Sequence, residues 1–127
     1  KVVRFDFSTP WCPPLPRGEL KGGVGKTSIS QSLKVPHMGW NAINIKQVDN
    51  PLFNGIPDKS YFYFVHSYYV APEEASIILT TTDYGIEFTS SVRKGNIFGV
   101  QFHPEKSQAA GLQVLRNFGE IAKKGVV

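Results

Sequence analysis

The sequence predicts an α/β fold in which a mixed, largely antiparallel sheet of about five strands carries one C-terminal helix on a face. Three observations support this. Runs of β-branched and aromatic residues recur between Gly-, Pro- and Asn-rich breaks, a Gly95-Asn96 step joins two such runs, and apolar residues return at helical spacing only after Ser107.

Lys1 to Phe5 opens as a short strand. From Asp6 to about Lys34 the composition turns to Pro, Gly, Ser and Thr, and Pro10, Pro13, Pro14 and Pro16 remove backbone donors, so this segment reads as a long loop or insertion, poorly ordered. Asn41 to Val48 alternates, Ile43 and Ile45 against Asn44 and Lys46, as a half-buried strand does. Asp49 to Lys59 holds Asn-Pro, Asn-Gly and Pro-Asp steps and is a turn region. Tyr61 to Val70 is so continuously aromatic and β-branched that one strand with little solvent on either face is expected. Ala71-Pro72-Glu73-Glu74 breaks it, and Ser76 to Thr82 is β-branched again.

Glu87 to Lys94 pairs with Ile97 to Phe102 across Gly95-Asn96, because both turn residues tolerate positive φ. Ser107 offers an N-cap, Leu112, Leu115, Phe118 and Ile121 or Ala122 repeat at helical spacing, and Lys123-Lys124-Gly125 supplies a cationic last turn and a terminal glycine.

With 127 residues, 41% of them hydrophobic, the chain reads as one domain over 1–127 with a Pro/Gly-rich insertion at about 6–34. No stretch is long and apolar enough to cross a bilayer, and Lys1-Val2-Val3-Arg4-Phe5 does not read as a signal segment, so a soluble, cytoplasmic protein without membrane contact is expected. The single cysteine, Cys12, forms no internal disulfide and no cysteine-based metal cage. The net charge of +4 comes from scattered lysines and arginines without interleaved stacking aromatics, which favours a solvated basic surface over a nucleic-acid site. Neither a metal nor a cofactor is implied.

Chemistry concentrates in Gly99-Val100-Gln101-Phe102-His103-Pro104-Glu105-Lys106-Ser107. A histidine and a carboxylate stand two residues apart directly after an apolar strand, and Pro104 turns the chain so that both project from the strand's carboxyl edge, where sites on α/β sheets gather. A thiol or hydroxyl nucleophile needs such a base, and the base needs a third group to fix its tautomer and ring orientation. On these residues alone the pattern is weak, and a structural or surface role is the favoured reading.

Taken in order, Pro36-His37-Met38-Gly39-Trp40-Asn41, Tyr63-Phe64-Val65-His66-Ser67-Tyr68 and Gln101-Phe102-His103-Pro104-Glu105-Lys106-Ser107 resemble the glutaminase subunits of imidazole glycerol phosphate synthases, within the class I (triad) glutamine amidotransferases. The resemblance runs from about Val35 to the C-terminus and implies the later half of a flavodoxin-like amidotransferase domain. It implies that His103 is general base and acid, that Glu105 orients it, and that His66, Ser67 and Tyr68 line a glutamine pocket largely through backbone groups. It further implies that His37, Met38, Gly39, Trp40, Tyr63 and Lys106 face a (β/α)8-barrel cyclase, the heterodimer partner that receives ammonia from glutamine. On the residues alone, Tyr63 also suits core packing, His66 suits a satisfied core histidine, and Trp40 suits a half-buried site.

The nucleophile of that family, a cysteine in a Gly-x-Cys-x-Gly turn, has no match in this sequence. Cys12 is a poor substitute, because the following residue, whose N–H serves the oxyanion on such an elbow, is Pro13. The expectation is that this chain lacks the nucleophile-bearing half, has no glutaminase activity alone, and leaves one sheet edge and one apolar face uncovered. A rival motif, Lys21-Gly22-Gly23-Val24-Gly25-Lys26-Thr27, matches a deviant Walker A loop and implies a nucleotide-binding or interaction module instead. It lacks the apolar strand before it and the long helix after it that a P-loop requires.

Overall fold

The computed structural model describes residues 1–5 and 33–124. Residues 6–32, which hold Cys12, the Lys21–Thr27 loop and most of the predicted insertion, lie outside the described residues, as does the predicted C-terminal glycine Gly125.

Among the described residues, eight strands and one α-helix follow in chain order: β1 (Val2–Arg4), β2 (His37–Ala42), β3 (Asn44–Ile45), β4 (Tyr61–His66), β5 (Tyr68–Val70), β6 (Ile78–Asp83), β7 (Glu87–Lys94), β8 (Ile97–Val100) and α1 (Gln108–Lys123). The main sheet runs β1-β5-β7-β6-β3, with β8 joining β7 beyond the end of β5, and β2 and β4 form a separate two-stranded ribbon. Every strand pair among the described residues is antiparallel. The Gly95-Asn96 hairpin forms as predicted, with Lys94 opposite Ile97 and Gly95 at φ 60°.

Three predicted strands are redrawn. Asn41–Val48 is not one strand: His37–Ala42 pairs with β4, whereas Asn44 and Ile45 pair with β6. The switch falls at Ile43, which is fully buried and donates its amide to the Ser60 carbonyl at 3.0 Å. Tyr61–Val70 breaks at Ser67, where the chain leaves the ribbon for the main sheet, and β4 alternates exposed and buried positions instead of being dry on both faces. Ser76 and Ile77 belong to a short 3-10 turn, so β6 starts at Ile78.

The core consists of Phe5, Ile43, Leu52, Phe53, Ile56, Phe62, Phe64, Leu79, Phe88, Phe102 and Val114. Leu52, Phe53 and Ile56 reach it from the predicted turn region, where the Asn50 side chain accepts from the Leu52 amide at 2.8 Å and starts a 3-10 turn. Between β6 and β7 the buried Thr80, Thr82, Ser90 and Ser91 satisfy one another at 2.6 to 2.9 Å, so hydroxyls in the sheet interior keep their bonds.

The helix is where predicted, but its faces are rotated. Gly111, Val114 and Asn117 are buried, with Ala110 and Ile121 packed beside them, while Leu112, Leu115 and Phe118 are about half exposed. Asn117 explains the rotation: its amide donates to the Leu52 and Asn54 carbonyls at 2.9 and 2.8 Å, satisfying the turn beneath the helix. No helix among the described residues is long and apolar enough to cross a membrane.

Candidate active site

The stretch after β8 turns sharply. Gln101 still reaches the sheet, donating to the Ser90 carbonyl at 2.8 Å, Phe102 is buried, and His103-Pro104-Glu105-Lys106 forms a 3-10 turn at the rim. There the His103 Nδ1 and a Glu105 carboxylate oxygen are 3.1 Å apart, with the two side chains 38% and 58% exposed. An ionised carboxylate only accepts, so His103 donates from Nδ1, and in the neutral ring it is Nε2 that carries the free lone pair. The Glu105 carboxyl is held below the ordinary glutamate range, first by its own backbone amide and then by His103 and Lys106. It is therefore an anion, as an orienting acid must be.

This turn is anchored to β4. His103 donates its amide to the Tyr63 carbonyl at 2.9 Å, and the Ser107 hydroxyl accepts from the Tyr63 amide at 3.0 Å. Strand alternation then sorts the neighbours. Met38, Trp40 and Ala42 stand opposite Val65, Tyr63 and Tyr61 on the outer face of the ribbon, while His37 stands opposite His66 on the inner one. On the outer face Trp40 and Tyr63 meet edge to face with centroids 6.0 Å apart, and the Lys106 ammonium lies 5.9 Å from the Tyr63 ring centroid. Met38, Trp40 and Tyr61 are exposed there. Gly39, between Met38 and Trp40 in β2, adopts φ 131°, a conformation that a side chain disfavours.

His37 is separate from Met38 and Trp40: it is 3% exposed and faces inward. Its Nδ1 is 2.8 Å from the His66 Nε2, and the His66 Nδ1 is 2.8 Å from the Tyr68 carbonyl. Because a carbonyl only accepts, His66 carries its proton on Nδ1, receives at Nε2, and obliges His37 to donate from Nδ1. Asn41 completes the chain by donating to the His37 Nε2 at 3.2 Å and to the Asp83 carbonyl at 2.8 Å. Both rings are thereby fixed as neutral. Burial, and then the charge of His66, pulls the His37 pKa from 6.5 down to about 4. Burial also lowers His66; the Tyr68 carbonyl opposes this, and the charge of His103 reinforces it. The rings of Tyr84 and Phe64 stack on His37 with centroids 3.9 and 4.9 Å away.

The His66-Ser67-Tyr68 segment is the crossing from ribbon to sheet. Its ends are fixed by the His66 ring on the Tyr68 carbonyl and by the Phe5 amide on the Ser67 carbonyl at 3.0 Å. Among the described residues no group of three or more His, Cys, Asp or Glu side chains is arranged to hold a metal ion. Sequence reasoning passed over Asn41, Tyr84 and Gly111. Only Gly111 left a visible signal, a glycine in the first turn of the predicted helix.

The model for class-I glutamine amidotransferases matches residues 19–121. Across 95 residues the chain is 55% identical to the imidazole glycerol phosphate synthase subunit HisH of Moorella thermoacetica, which covers 75% of this chain and 45% of that protein. The HisH subunit of Aromatoleum aromaticum is 57% identical over 108 residues, 80% of this chain and 50% of the relative. HisH 1 of Methanococcus maripaludis is 50% identical over 111 residues, 87% and 53% of the two lengths. The chain thus spans about half the length of the curated relatives it matches. With a match that runs from before the ribbon to the last turns of α1 and includes the His103–Glu105 turn, this chain belongs to the class-I glutamine amidotransferases.

Proposed function

We propose that this chain carries the base-and-acid part of a glutaminase site in a glutamine amidotransferase subunit, with His103 as general base and acid and Glu105 as its orienting carboxylate. The observation that supports this best is the 3.1 Å contact between the His103 Nδ1 and Glu105 at the open rim of the sheet. With Nδ1 engaged, Nε2 is the atom that takes a proton from a cysteine thiol. The thiolate attacks the glutamine carboxamide carbon, the imidazolium returns the proton to the leaving nitrogen as ammonia departs, and a thioester remains. Water, deprotonated by the same Nε2, then releases glutamate.

The nucleophile comes from outside these 127 residues, since their single cysteine, Cys12, is followed by Pro13 and so lacks the adjoining N–H an elbow uses. Backbone groups of His66, Ser67 and Tyr68 face glutamine, their conformation fixed by the bonds at both ends of that crossing. The outer face of the ribbon, with Met38, Gly39, Trp40, Tyr63 and Lys106, docks the (β/α)8-barrel cyclase of imidazole glycerol phosphate synthase, which uses the ammonia in histidine biosynthesis. The identity of the relatives as imidazole glycerol phosphate synthase subunits supports that assignment, and so does an exposed aromatic and cationic cluster of the kind that anchors interfaces. His37 supports this face from behind.

The test is reconstitution. The chain is mixed with the nucleophile-bearing half of a HisH relative and a cyclase, and glutamate release is followed. Turnover that depends on His103 and Glu105 supports the reading. Turnover by the chain alone that depends on Cys12 overturns the placement of the nucleophile, and wild-type turnover retained in His103→Asn overturns the base.

A further inference from the structure

We infer that Ser107 is a positioning residue for the reaction proposed above, whose buried hydroxyl clamps the His103 backbone to the Tyr63 peptide and so keeps the imidazole in line with Glu105. The inference rests on His103 being the base.

A serine hydroxyl has one proton and two lone pairs. Ser107, 1% exposed, donates the proton to the His103 carbonyl at 2.6 Å and accepts the Tyr63 N–H at 3.0 Å. His103 returns its own N–H to the Tyr63 carbonyl at 2.9 Å, so three bonds close a ring through one hydroxyl and the backbones of two residues. Both backbone polar groups of His103 are held, which fixes the direction in which its side chain leaves the chain. Two side-chain torsions remain, and the Glu105 contact at Nδ1 sets them.

Local structure is set aside to make this ring. The sequence places Ser107 as the helix N-cap, yet its side chain caps nothing and α1 starts without that bond. Gln108, immediately after it, is held at φ 53°, a left-handed conformation that a residue other than glycine rarely adopts. One turn on, a Cβ on Gly111 would lie 1.9 Å from the Pro104 carbonyl oxygen and 2.8 Å from the Ser107 Cβ, so the helix is pressed onto the turn with no side chain between them. A forfeited cap, a left-handed residue and an obligatory glycine within five positions, all against the site, are the kind of local conflict that marks a functional constraint.

The experiment reads the imidazole itself. In the chain with nitrogen-15 in its histidines, long-range proton–nitrogen correlation at about pH 9, where imidazoles are neutral, gives the ratio of the Nδ1–H to the Nε2–H tautomer of His103. Wild type favours Nδ1–H. Ser107→Ala lowers the ratio about fivefold, the weight of one ordinary hydrogen bond, toward the value found in Glu105→Gln. Ser107→Cys, which keeps the volume and weakens both bonds, gives the same direction if the alanine variant does not fold. Asn117→Ala loosens α1 elsewhere and serves as the structural control, losing melting temperature with the ratio unchanged. An unchanged ratio in a folded serine variant that melts earlier overturns the proposal, because Ser107 would then only support the fold. No turnover is needed, so a failed reconstitution beside an intact tautomer response counts against the proposed function alone.

Discussion

Lowering the pH from 6.5 toward 4 acts on the His37–His66 pair before it acts on most carboxylates. His37 has its pKa depressed from 6.5 to about 4 by burial and by the neighbouring ring. Between those values the unfolded chain binds a proton that the folded chain refuses. Stability therefore rises with pH across this window: it is fully present above 6.5 and is lost as the pH falls to about 4. A tenfold change in proton affinity is about 1.4 kcal/mol, so His37 alone removes about 2 kcal/mol by pH 5 and about 3 kcal/mol by pH 4. His66 is shifted in the same direction and adds to the loss. The assay is urea unfolding of the chain at half-unit steps from pH 7.5 to 4.5, with and without His37→Asn. Asparagine keeps a donor near the position of Nδ1 but cannot titrate, so it lowers stability at every pH while flattening the slope by about one proton between pH 4.5 and 6. An identical slope in wild type and variant refutes the reasoning, since the acid response would then come from groups outside the dyad.

Four further outcomes follow from the geometry. In the reconstituted glutaminase, His103→Asn lowers kcat by ~10³-fold or more, and Glu105→Gln also lowers it while leaving glutamine KM within about threefold, as read by glutamate release. Gly111→Ala drives a Cβ into the Pro104 carbonyl and costs about 3 kcal/mol, seen as a lowered urea midpoint. Asn117→Ala leaves the Leu52 and Asn54 carbonyls without their donor and costs about 2 kcal/mol by the same measurement. Trp40→Ala and Lys106→Ala leave the urea midpoint nearly unchanged and weaken cyclase binding in titration calorimetry, Trp40→Ala by about 2 kcal/mol and Lys106→Ala by less.

Local chemistry was legible where one or two residues decide it. Gly95-Asn96 makes its hairpin because the turn needs positive φ and little else, and Pro104 opens the 3-10 turn that follows β8. Contacts set by register over long separations were not legible. His37 and His66 are 29 positions apart, and only the β2–β4 pairing brings them to 2.8 Å. Gly39 hid that pairing, because a glycine weakens a strand pattern, yet here it stands within β2 opposite Phe64. The helix misled for a different reason. Leu112, Leu115 and Phe118 carry the apolar signal, but the buried stripe holds Gly111, chosen for the close approach of a carbonyl, and Asn117, chosen for two carbonyls beneath it. Neither is apolar, so a pattern built on hydrophobicity points to the wrong face.

On the proposed reading, the ribbon lets a base sit at a docking face and still be set by the core. Successive residues of β4 point to opposite sides, so Tyr63 and Val65 belong to the surface while Phe62, Phe64 and His66 belong to the interior. The backbone belongs to neither side. It is the Tyr63 backbone, through its amide and its carbonyl, that holds Ser107 and His103. A one-residue slip of β4 against β2 would turn His66 outward, open the neutral imidazole chain, and present a different peptide to the His103 turn. The buried histidine pair therefore does more than fill the core. By satisfying both rings only in one register, it selects the pairing in which Tyr63 meets Ser107, and with it the alignment of His103 on Glu105.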